Sequence, residues 1–535
     1  MTRALRPSHQ HSAFSATLLL MSSVMLARVI GYLREMYVAW AFGAGPKTDA
    51  YVAAFQIPDY LFYLLAGGTT SITFISIYAR HASRGEDDKA QAAFNSTVTI
   101  MTVIALLGTI LTEIFTGQIA GLVFPKFTPQ QMDLCVHLTR IILPGQIFFY
   151  AGGIVSAVLL SRRMFLYPAL SPVFYGSSII LGGLLGAHRF GIAALAYGAL
   201  VGAFVGPFLI NSIGAAKTGL RYNWSFDFAN PEFREWVKLS IPLMLGVSLV
   251  SADDWILRYF ASGGAGEISR LNYAKRLFAL PISILGQAAG QASMPFFARL
   301  FGEGKRREFA ESVNQSVYRV GSAALLVTAL MATSALPLVD LAFHRGRFNL
   351  HDAQSTAIYF AWFSLSLALW SAQALYARAF YAAGNTMTPM VASTLIVVAS
   401  LPLYAAMFHR FGFTGLAMAS DAGILLHTVV IAWLLSRSGL VPLDGLPWRE
   451  VAKAFATAVV AGLACYAVAL QLLAGTWRRD LLALAAIGAT WLAVVTAGLW
   501  VTRSRLWSDL RRSKKPSVLA ESQAVIERTQ GGVEP

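Results

Sequence analysis

Three charged residues interrupt the first apolar run of this sequence, and two of them are of a type that binds anionic groups. Arg28, Arg34 and Glu35 fall inside the run, which resumes at Tyr37. A charge near the middle of a membrane-spanning helix costs about 2.5–3.5 kcal/mol on insertion scales, and such residues tend to face a polar cavity. Six residues of helix rise by about 9 Å, so one arginine could instead reach a membrane face. We predict that both arginines face a cavity.

A second charged group lies near the middle of the chain. Asp253 and Asp254 fall inside one apolar run, and Arg258 follows Asp254 by about one helical turn. This i,i+4 spacing leaves open an Asp254–Arg258 pair that neutralises itself. After a Gly-rich turn, Lys275 and Arg276 lie inside the next apolar run. Guanidinium groups offer paired donors that match phosphate oxygens, so arginines in such a cavity favour a polyanionic, phosphate-bearing substrate.

The composition places these charges in a membrane protein. Hydrophobic residues make up 56% of the 535 residues and charged residues only 13%, with a mean hydropathy of +0.58. Such a chain is typical of a polytopic membrane protein with helices of about 20 residues. Cys135 and Cys465 are the only cysteines, which excludes a disulfide framework and a cysteine metal cluster. The formal net charge of +15 then indicates membrane orientation more than nucleic-acid binding.

Fourteen apolar segments follow one another along the chain, and we predict that each spans the membrane. They run approximately over 14–42, 49–79, 92–123, 133–160, 167–187, 190–215, 233–261, 268–300, 310–343, 353–382, 387–408, 412–436, 450–473 and 480–502. An even number of spans puts both termini on one side of the membrane. The loops on that side carry most of the Lys and Arg residues, which predicts that both termini are cytoplasmic.

Two patterns in the sequence recur at nearly the same offset. The motif His-Arg-Phe-Gly at 188–191 returns at 409–412. An Arg, a Gly and an Asn at positions 80, 85 and 95 return at 299, 304 and 314. The two offsets differ by only two positions, as a short insertion would produce. An even number of helices in each repeat predicts parallel repeats, related by an axis along the membrane normal.

We therefore predict an all-α polytopic membrane protein of about 14 transmembrane helices, with two six-helix lobes related by a parallel pseudo-two-fold repeat. The predicted parts are an N-terminal lobe at 1–217, a C-terminal lobe at 232–438, two extra helices at 449–502 and a basic, disordered cytoplasmic tail at 503–535. Transporters built from such repeats bind their substrates where the repeats meet. The charged residues of the two groups are the candidates for that site.

The same charged stretches carry a family resemblance. The motifs are Ala-Arg-Val-Ile-Gly-Tyr-Leu-Arg-Glu at 27–35, Phe-Gly-Ala-Gly at 42–45, Asp-Ala-Tyr at 49–51, Leu-Asn-Tyr-Ala-Lys-Arg-Leu at 271–277 and His-Arg-Gly-Arg-Phe at 344–348. In these motifs and their order the chain resembles the MurJ/MviN lipid II flippases of the multidrug/oligosaccharidyl-lipid/polysaccharide exporter superfamily. The resemblance extends over the first twelve predicted helices, and the last two fit the two extra helices of the family.

The resemblance implies a protein of the bacterial inner membrane that works by alternating access. It would move the undecaprenyl-pyrophosphate-linked peptidoglycan precursor, lipid II, from the inner to the outer leaflet. By the same resemblance Arg28, Arg34 and Arg276 meet the pyrophosphate, and Asp49 is the acidic partner near the cavity mouth. The complete predicted substrate-binding set is Arg28, Arg34, Asp49, Asp254, Arg258, Lys275 and Arg276.

The chain departs from the family pattern at several positions. Phe62 and Tyr63 stand where well-studied members carry paired arginines, and Gly67 stands where they carry a glutamate. Lys275 replaces the aspartate that usually precedes the eighth-helix arginine. These differences predict two cations fewer on the second helix and one more on the eighth, which keeps an anionic substrate but leaves its headgroup open.

Other functional classes have little support in the sequence. The Gly-rich turn at 263–266 lacks the Lys-Ser/Thr ending of a phosphate-binding loop. We therefore expect a transporter and not an enzyme, without a cofactor and with the coupling ion (Na⁺, H⁺ or none) undetermined. Expected partners are the lipid-linked precursor, membrane lipids and the cell-wall synthesis machinery, but not nucleic acid. Transport of another lipid-linked oligosaccharide and a non-transporting scaffold role in cell-wall synthesis stay open as alternatives.

Overall fold

The described part of the chain consists mainly of α-helices joined by short loops. The computed structural model describes residues 13–66, 74–75, 77–78, 80–81, 84–162, 164–245, 249–472 and 476–507, and within these ranges it contains no β-strand. Each of the fourteen predicted segments contains at least one helix within the described residues. Among the described residues, eight helices are long and apolar enough to cross a membrane, or up to nine if the bent pair Leu350–Leu365 and Leu367–Ala382 forms one span.

The first half of the chain contains nine α-helices within the described ranges. They are α1 (Ala13–Phe42), α2 (Pro46–Ala54), α3 (Gln56–Ala66), α4 (Asp87–Val123), α5 (Pro129–Ile142), α6 (Gly145–Ser161), α7 (Leu166–Phe190), α8 (Ala193–Ala203) and α9 (Asn211–Lys217). A π-helical stretch, Phe204–Ile210, joins α8 to α9 and contains Pro207. Proline has no backbone N–H to donate, so the regular α-helical hydrogen-bond ladder is interrupted there.

The second half contains eleven α-helices within the same described ranges. They are α10 (Pro231–Leu245), α11 (Leu249–Ala261), α12 (Glu267–Pro281), α13 (Ala289–Gly302), α14 (Arg306–Thr333), α15 (Ala335–Phe343), α16 (Leu350–Leu365), α17 (Leu367–Ala382), α18 (Met387–Arg437), α19 (Trp448–Gln471) and α20 (Trp477–Val501). A second π-helical stretch, Ile282–Ala288, follows Pro281. Gly412 interrupts α18 at the first residue of the predicted segment 412–436.

Contacts divide the chain into two compact units. The first unit comprises Met1–Arg276, Ala342–Thr356 and Ser393–Leu416, and the second comprises Leu277–Leu341, Ala357–Ala392 and Ala417–Pro535. Phe94 and Trp236 belong to the buried core of the first unit, and Phe297 and Phe309 to that of the second. All seven predicted substrate-binding residues lie in the first unit. The division at 1–217, 232–438 and 449–502 remains a prediction, and most of the basic tail (508–535) lies outside the described residues.

The backbone repeats itself at the positions that the sequence motifs indicate. Gly191 and Gly412, which end the two copies of the His-Arg-Phe-Gly motif, have nearly the same dihedral angles, φ 57° and ψ −136° against φ 61° and ψ −142°. The helices α7 and α18 begin at Leu166 and Met387, which keeps the offset of that motif, and α4 and α14 keep the offset of the other pattern. A left-handed glycine at matching positions is a backbone signature that apolar composition alone does not produce.

The turn after α1 packs against a second loop at very short range. The backbone N–H of Arg347 donates to the carbonyl of Trp40 at 3.0 Å. Gly346 has φ +63°, and a Cβ there would lie 2.3 Å from the Trp40 carbonyl oxygen. Gly43 has φ +72°, and a Cβ there would lie 2.6 Å from the Arg347 carbonyl oxygen. Both glycines are therefore required for this backbone contact within the first unit.

Gly346→Ala is expected to lower the thermal stability of the purified protein. A left-handed conformation costs a non-glycine residue about 1–2 kcal/mol, and the collision with the Trp40 carbonyl adds to that cost. Gly117→Ala is the matched control, because Gly117 lies inside α4 and a Cβ there would meet nothing within 4 Å, and alanine favours a helix. Thermal unfolding in detergent measures both variants. Equal midpoints for the two would contradict the tight contact.

Candidate functional site

Two of the predicted arginines converge on one glutamate. The Nη2 of Arg34 lies 2.8 Å from Oε1 of Glu35 on α1, and the Nε of Arg276 on α12 lies 3.7 Å from the same oxygen. Asn272 Nδ2 donates to the other carboxylate oxygen at 3.4 Å. The Arg34 side chain is 19% exposed, whereas that of Arg276 is 52% exposed. Arg276 therefore offers accessible guanidinium donors, while Arg34 is held by the glutamate.

Glu35 was not among the predicted site residues, although it follows Arg34 directly in the sequence. Its other partner, Arg276, is remote in the chain, and sequence spacing gives no signal for such a contact. A carboxylate between two guanidinium groups lowers their mutual repulsion and keeps both in place without a ligand. Glu35 is thus the group that an incoming anion has to compete with at Arg276.

Lys275 is engaged by two aspartates of α11. Its Nζ lies 2.5 Å from Oδ2 of Asp253, and it also donates to Oδ1 of Asp254. Asp253 additionally accepts a hydrogen bond from the Tyr404 hydroxyl. Asp254 thus forms its ion pair with Lys275, and not with Arg258 as the local spacing allowed, because the packing of α12 against α11 brings the ammonium to both carboxylates. The two aspartates neutralise Lys275, which corrects the prediction that it adds a spare cation to the site.

A small open cleft of about 270 Å³ lies beside this lysine, within the first unit. Its polar lining comprises Asp254, Arg258, Asn272 and Lys275, and its remaining walls are apolar. Arg258 Nη1 lies 3.5 Å from Oε1 of Gln56, so its guanidinium is only weakly held. The cleft thus presents the loosely bound Arg258 guanidinium and the Asn272 amide as donors, beside the Lys275–Asp254 ion pair. This set of donors can bind an oxygen-rich anionic group.

Asp49 lies away from this cleft, at the start of α2, and it is completely buried. Its Oδ2 accepts the Gly266 N–H at 2.5 Å, and its Oδ1 accepts the Ser269 N–H at 2.8 Å and the Ser269 hydroxyl at 2.6 Å. These are N–H groups at the beginning of α12, where a helix has unsatisfied donors and favours negative charge. Asp49 therefore caps α12 in this conformation, which differs from the predicted place at the cavity mouth.

Asp49→Asn is expected to loosen the start of α12. An amide offers only one acceptor oxygen and turns its NH₂ toward a backbone donor, so at least one buried N–H loses its partner. Hydrogen–deuterium exchange of the backbone N–H groups of Gly266 and Ser269 should become at least tenfold faster. Ser269→Ala is the milder control, because it removes only the hydroxyl contact. Unchanged exchange in Asp49→Asn would contradict the capping role.

A buried network that sequence reasoning missed lies next to this cap. Arg270 Nε donates to Asp352 Oδ1 at 2.9 Å, and its Nη1 donates to Glu267 Oε1 at 2.6 Å. The Tyr273 hydroxyl donates to the Gly43 carbonyl at 3.3 Å. From the sequence, Arg270 could be assigned only to a charged loop. Its partner Asp352 is distant in the chain, so the ion pair gives no local sequence signal. Together with the Asp49 cap, these bonds tie the α1–α2 turn to α12 at one end of the first unit.

The aromatic residues that replace the family's arginines pack against other rings. Tyr63 lies edge-on to Trp255 of α11, with ring centroids 5.7 Å apart. Phe62 contacts Tyr150 of α6, with ring centroids 5.6 Å apart. Aromatic contacts therefore occupy the two positions at which the family resemblance implies arginines in other members. Gly67, a further departure, lies outside the described residues.

Arg28 lies nearer the start of α1 and is partly buried. Positions seven apart share a helical face, so Arg28 is on the face of Glu35, about 10 Å along the helix. Within the described residues it forms no ion pair, and its place in a cavity remains a prediction. The structure thus brings together Arg34, Arg276, Lys275, Asp254 and, at the edge of the cleft, Arg258.

Apolar helices long enough to cross a membrane, with paired charges among them, define a polytopic membrane protein. The family profile described as Lipid II flippase MurJ matches residues 38–503. The chain belongs to that family, and the resemblance read from its motifs is confirmed.

Curated relatives align over most of the chain. The probable lipid II flippase MurJ of Bdellovibrio bacteriovorus is 24% identical over 93% of this chain and 96% of the relative. The lipid II flippase MurJ of Burkholderia cenocepacia is 27% identical over 80% of this chain and 84% of the relative. The chain therefore matches these relatives over most of their length and not over an isolated segment.

Solved structures support the fold. A structure described as lipid II flippase MurJ in an inward closed conformation superposes with a TM-score of 0.75 at 19% identity, covering 92% of this chain and 99% of that chain. An inward-facing multidrug transporter of the MATE family superposes with a TM-score of 0.63 at 14% identity, covering 79% and 98%. The predicted all-α, polytopic fold class is confirmed.

Proposed function

We propose that this chain is a lipid II flippase that moves the undecaprenyl-pyrophosphate-linked peptidoglycan precursor from the inner to the outer leaflet. The family match over residues 38–503 carries this proposal. The convergence of Arg34 and Arg276 on Glu35 supports it, because a pyrophosphate needs several guanidinium donors in one place.

The headgroup binds by competing with Glu35. In the structure the Arg276–Glu35 contact is long, at 3.7 Å, and more than half of the Arg276 side chain is exposed. A pyrophosphate carries more negative charge than a carboxylate and can accept two parallel bonds from one guanidinium, so it takes Arg276 with little reorganisation. Arg258 at the cleft adds a second loosely held guanidinium.

One end of the first unit has to open if the cargo leaves there. The Asp49 cap, the Arg270–Asp352 pair and the Arg347–Trp40 backbone bond all tie that end together. The predicted topology puts this end outside the cell, with both termini in the cytoplasm of a bacterial cell and the protein in its inner membrane. Alternating access then consists of breaking these bonds while the other side closes.

The transport step needs no nucleotide hydrolysis in this proposal. The membrane potential could drive transport instead, because moving one charge across it is worth about 2.3 kcal/mol per 100 mV. Consumption of the transported lipid at the outer leaflet is a second source of driving force. The partners are the lipid-linked precursor, the surrounding lipids and the cell-wall synthesis machinery.

Complementation tests the cargo. A bacterial strain depleted of its own lipid II flippase should grow when this chain is expressed in its membrane. Arg307→Ala is a matched positive control, since the Arg307 side chain is 92% exposed and belongs to neither charged group. Absence of growth with well-expressed, monodisperse protein would overturn lipid II as the cargo and favour another lipid-linked oligosaccharide or a scaffold role.

A further inference from the structure

An exposed row of aromatic side chains lies between α9 and α10. Residues 222–228 read Tyr-Asn-Trp-Ser-Phe-Asp-Phe, so aromatic and polar residues alternate strictly. The four rings are all exposed: Tyr222 by 47%, Trp224 by 71%, Phe226 by 55% and Phe228 by 60%. Large apolar side chains that remain this exposed in a contiguous row mark an interaction surface. We call residues 222–228 the aromatic segment.

The segment is held along α4 by a regular set of hydrogen bonds. Gln91 donates to the Arg221 carbonyl, Asn95 accepts from the Asn223 N–H at 3.2 Å, and Thr99 accepts from the Ser225 N–H at 3.4 Å. Each step of four helix residues, about 6 Å, corresponds to two residues of the segment. That spacing requires an extended chain, which rises about 3.3 Å per residue.

An extended chain places successive side chains on opposite faces. Tyr222, Trp224 and Phe226 therefore share one face of the segment, and Asn223 and Ser225 share the other. The chain turns after Phe226, because the Phe228 N–H donates to the Phe226 carbonyl at 3.1 Å. The rings also contact one another, with centroids 5.9 Å apart for Tyr222 and Trp224 and 6.0 Å apart for Trp224 and Phe226. The hydroxyl of Tyr222 is bonded to Thr99 at 2.9 Å, which fixes the end of the row. The row is thus a built surface and not a set of scattered exposed residues.

The depth of the aromatic segment in the membrane can be estimated from the position of α4, to which the segment is bonded. This helix has 37 residues, which is about 55 Å of rise against a hydrocarbon core of about 30 Å. Its large exposed apolar side chains begin at Ile104 and continue to Leu122. Asn95 and Thr99, which bind the segment, precede Ile104 by about 8–14 Å of helix. The segment therefore lies level with the headgroup layer, where Trp and Tyr side chains are enriched.

Basic residues flank the aromatic row. Lys217 and Arg221 precede it, Arg234 follows it, and all three are exposed. Arg234 Nε donates to the Phe228 carbonyl at 3.0 Å, so one cation is fixed at the end of the row. Lys and Arg beside a membrane surface attract anionic lipid headgroups. Asp227 within the segment is exposed as well, so the three cations outnumber it and leave a net positive charge around the row that complements a lipid phosphate.

We propose that the aromatic segment is a membrane-interface anchor that binds the anionic lipid headgroup layer of the bilayer in which the protein sits. It would hold the connection between α9 and α10 at the membrane surface, on the cytoplasmic side in the proposed topology. This inference does not depend on the cargo. A lipid interface suits the row better than a soluble partner does, because the row lies at headgroup depth beside an exposed apolar helix.

Depth-dependent quenching tests the anchor. The two native cysteines are first removed by Cys135→Ala and Cys465→Ala, and Trp224→Cys then introduces a single cysteine. This cysteine is labelled with an environment-sensitive fluorophore, and the protein is placed in nanodiscs that contain phosphatidylglycerol. Nitroxide groups attached near the lipid headgroup should quench this label at least twofold more than nitroxides at the acyl-chain end. Leu107→Cys, on the exposed apolar face of α4, should show the reverse order, and Arg307→Cys should be quenched only by aqueous iodide.

If iodide quenches the label at position 224 and the lipid-attached nitroxides do not, the proposal is overturned. The row would then face water or a protein partner. Phe226→Cys gives a second position on the same face if the first variant is not monodisperse. A charge test is independent of labelling: Lys217→Ser combined with Arg221→Ser should at least halve the phosphatidylglycerol that copurifies with the protein. Unchanged lipid content would refute the recognition of anionic headgroups.

Discussion

Arg276→Ala is expected to abolish lipid II transport, and Arg276→Lys is expected to impair it by at least tenfold. Alanine removes the one cation of the Glu35 cluster whose side chain is more than half exposed. Lysine keeps the charge but loses the planar pair of donors that fits a pyrophosphate. A site that only needs positive potential would tolerate the lysine variant almost completely.

Growth during depletion of the resident flippase measures this effect, with the protein level checked by immunoblot. Arg299→Ala is a closely matched control, because Arg299 Nε also lies 3.7 Å from a glutamate, Glu303, but on a side chain that is 69% exposed. Cells that express Arg299→Ala should grow like cells that express the unmodified chain. Full growth of a variant that carries both Arg28→Lys and Arg276→Lys would contradict guanidinium recognition and leave only a positively charged cavity.

Lys275→Met is expected to destabilise the protein severely and thereby to abolish function. The substitution leaves Asp253, whose side chain is 4% exposed, without its cation, and it also deprives Asp254 of its partner. Breaking a buried ion pair by removing one member costs about 3–5 kcal/mol. The sequence alone predicts that Lys275→Ala is milder than Arg276→Ala, because Lys275 lies about 100° round the helix from Arg276. Thermal unfolding in detergent should show a clear fall in the midpoint.

A compensating substitution separates stability from binding. Asp253→Asn removes the stranded charge and keeps an acceptor for the Tyr404 hydroxyl. Lys275→Met together with Asp253→Asn should therefore recover much of the lost stability and measurable transport. A double variant that is stable but inactive would show instead that Lys275 itself contacts the substrate.

The positions of the helices could be predicted from apolar runs alone. The predicted segment 167–187 corresponds to α7, Leu166–Phe190, and 450–473 corresponds to α19, Trp448–Gln471. The breaks could not be predicted in the same way, because a π-helical stretch such as Ile282–Ala288 keeps the apolar composition of a regular helix. Hydropathy measures burial in lipid and is insensitive to the hydrogen-bond pattern inside a span.

The candidate site was predictable in its residue types but not in its pairing. Charges inside apolar runs pointed to Arg34 and Arg276, and the structure brings these two arginines to one carboxylate, whereas Lys275 pairs with two aspartates. The sequence can show a partner only at local spacing, as with Asp254 and Arg258, whereas the observed partner of Asp254 is Lys275 on the next helix. Asp49 gave no signal of helix capping, because its donors belong to α12, which is remote from it in the chain.

The most direct test of the flippase assignment measures lipid II at the outer leaflet. Cells depleted of their own flippase and expressing this chain are converted to spheroplasts and exposed to a membrane-impermeant hydrolase that cleaves lipid II at its pyrophosphate. The account predicts that cleavage is restored to the level seen with the resident flippase, and that Arg276→Ala at equal abundance abolishes it. Lipid II that stays protected while the unmodified chain is abundant and folded would contradict the account.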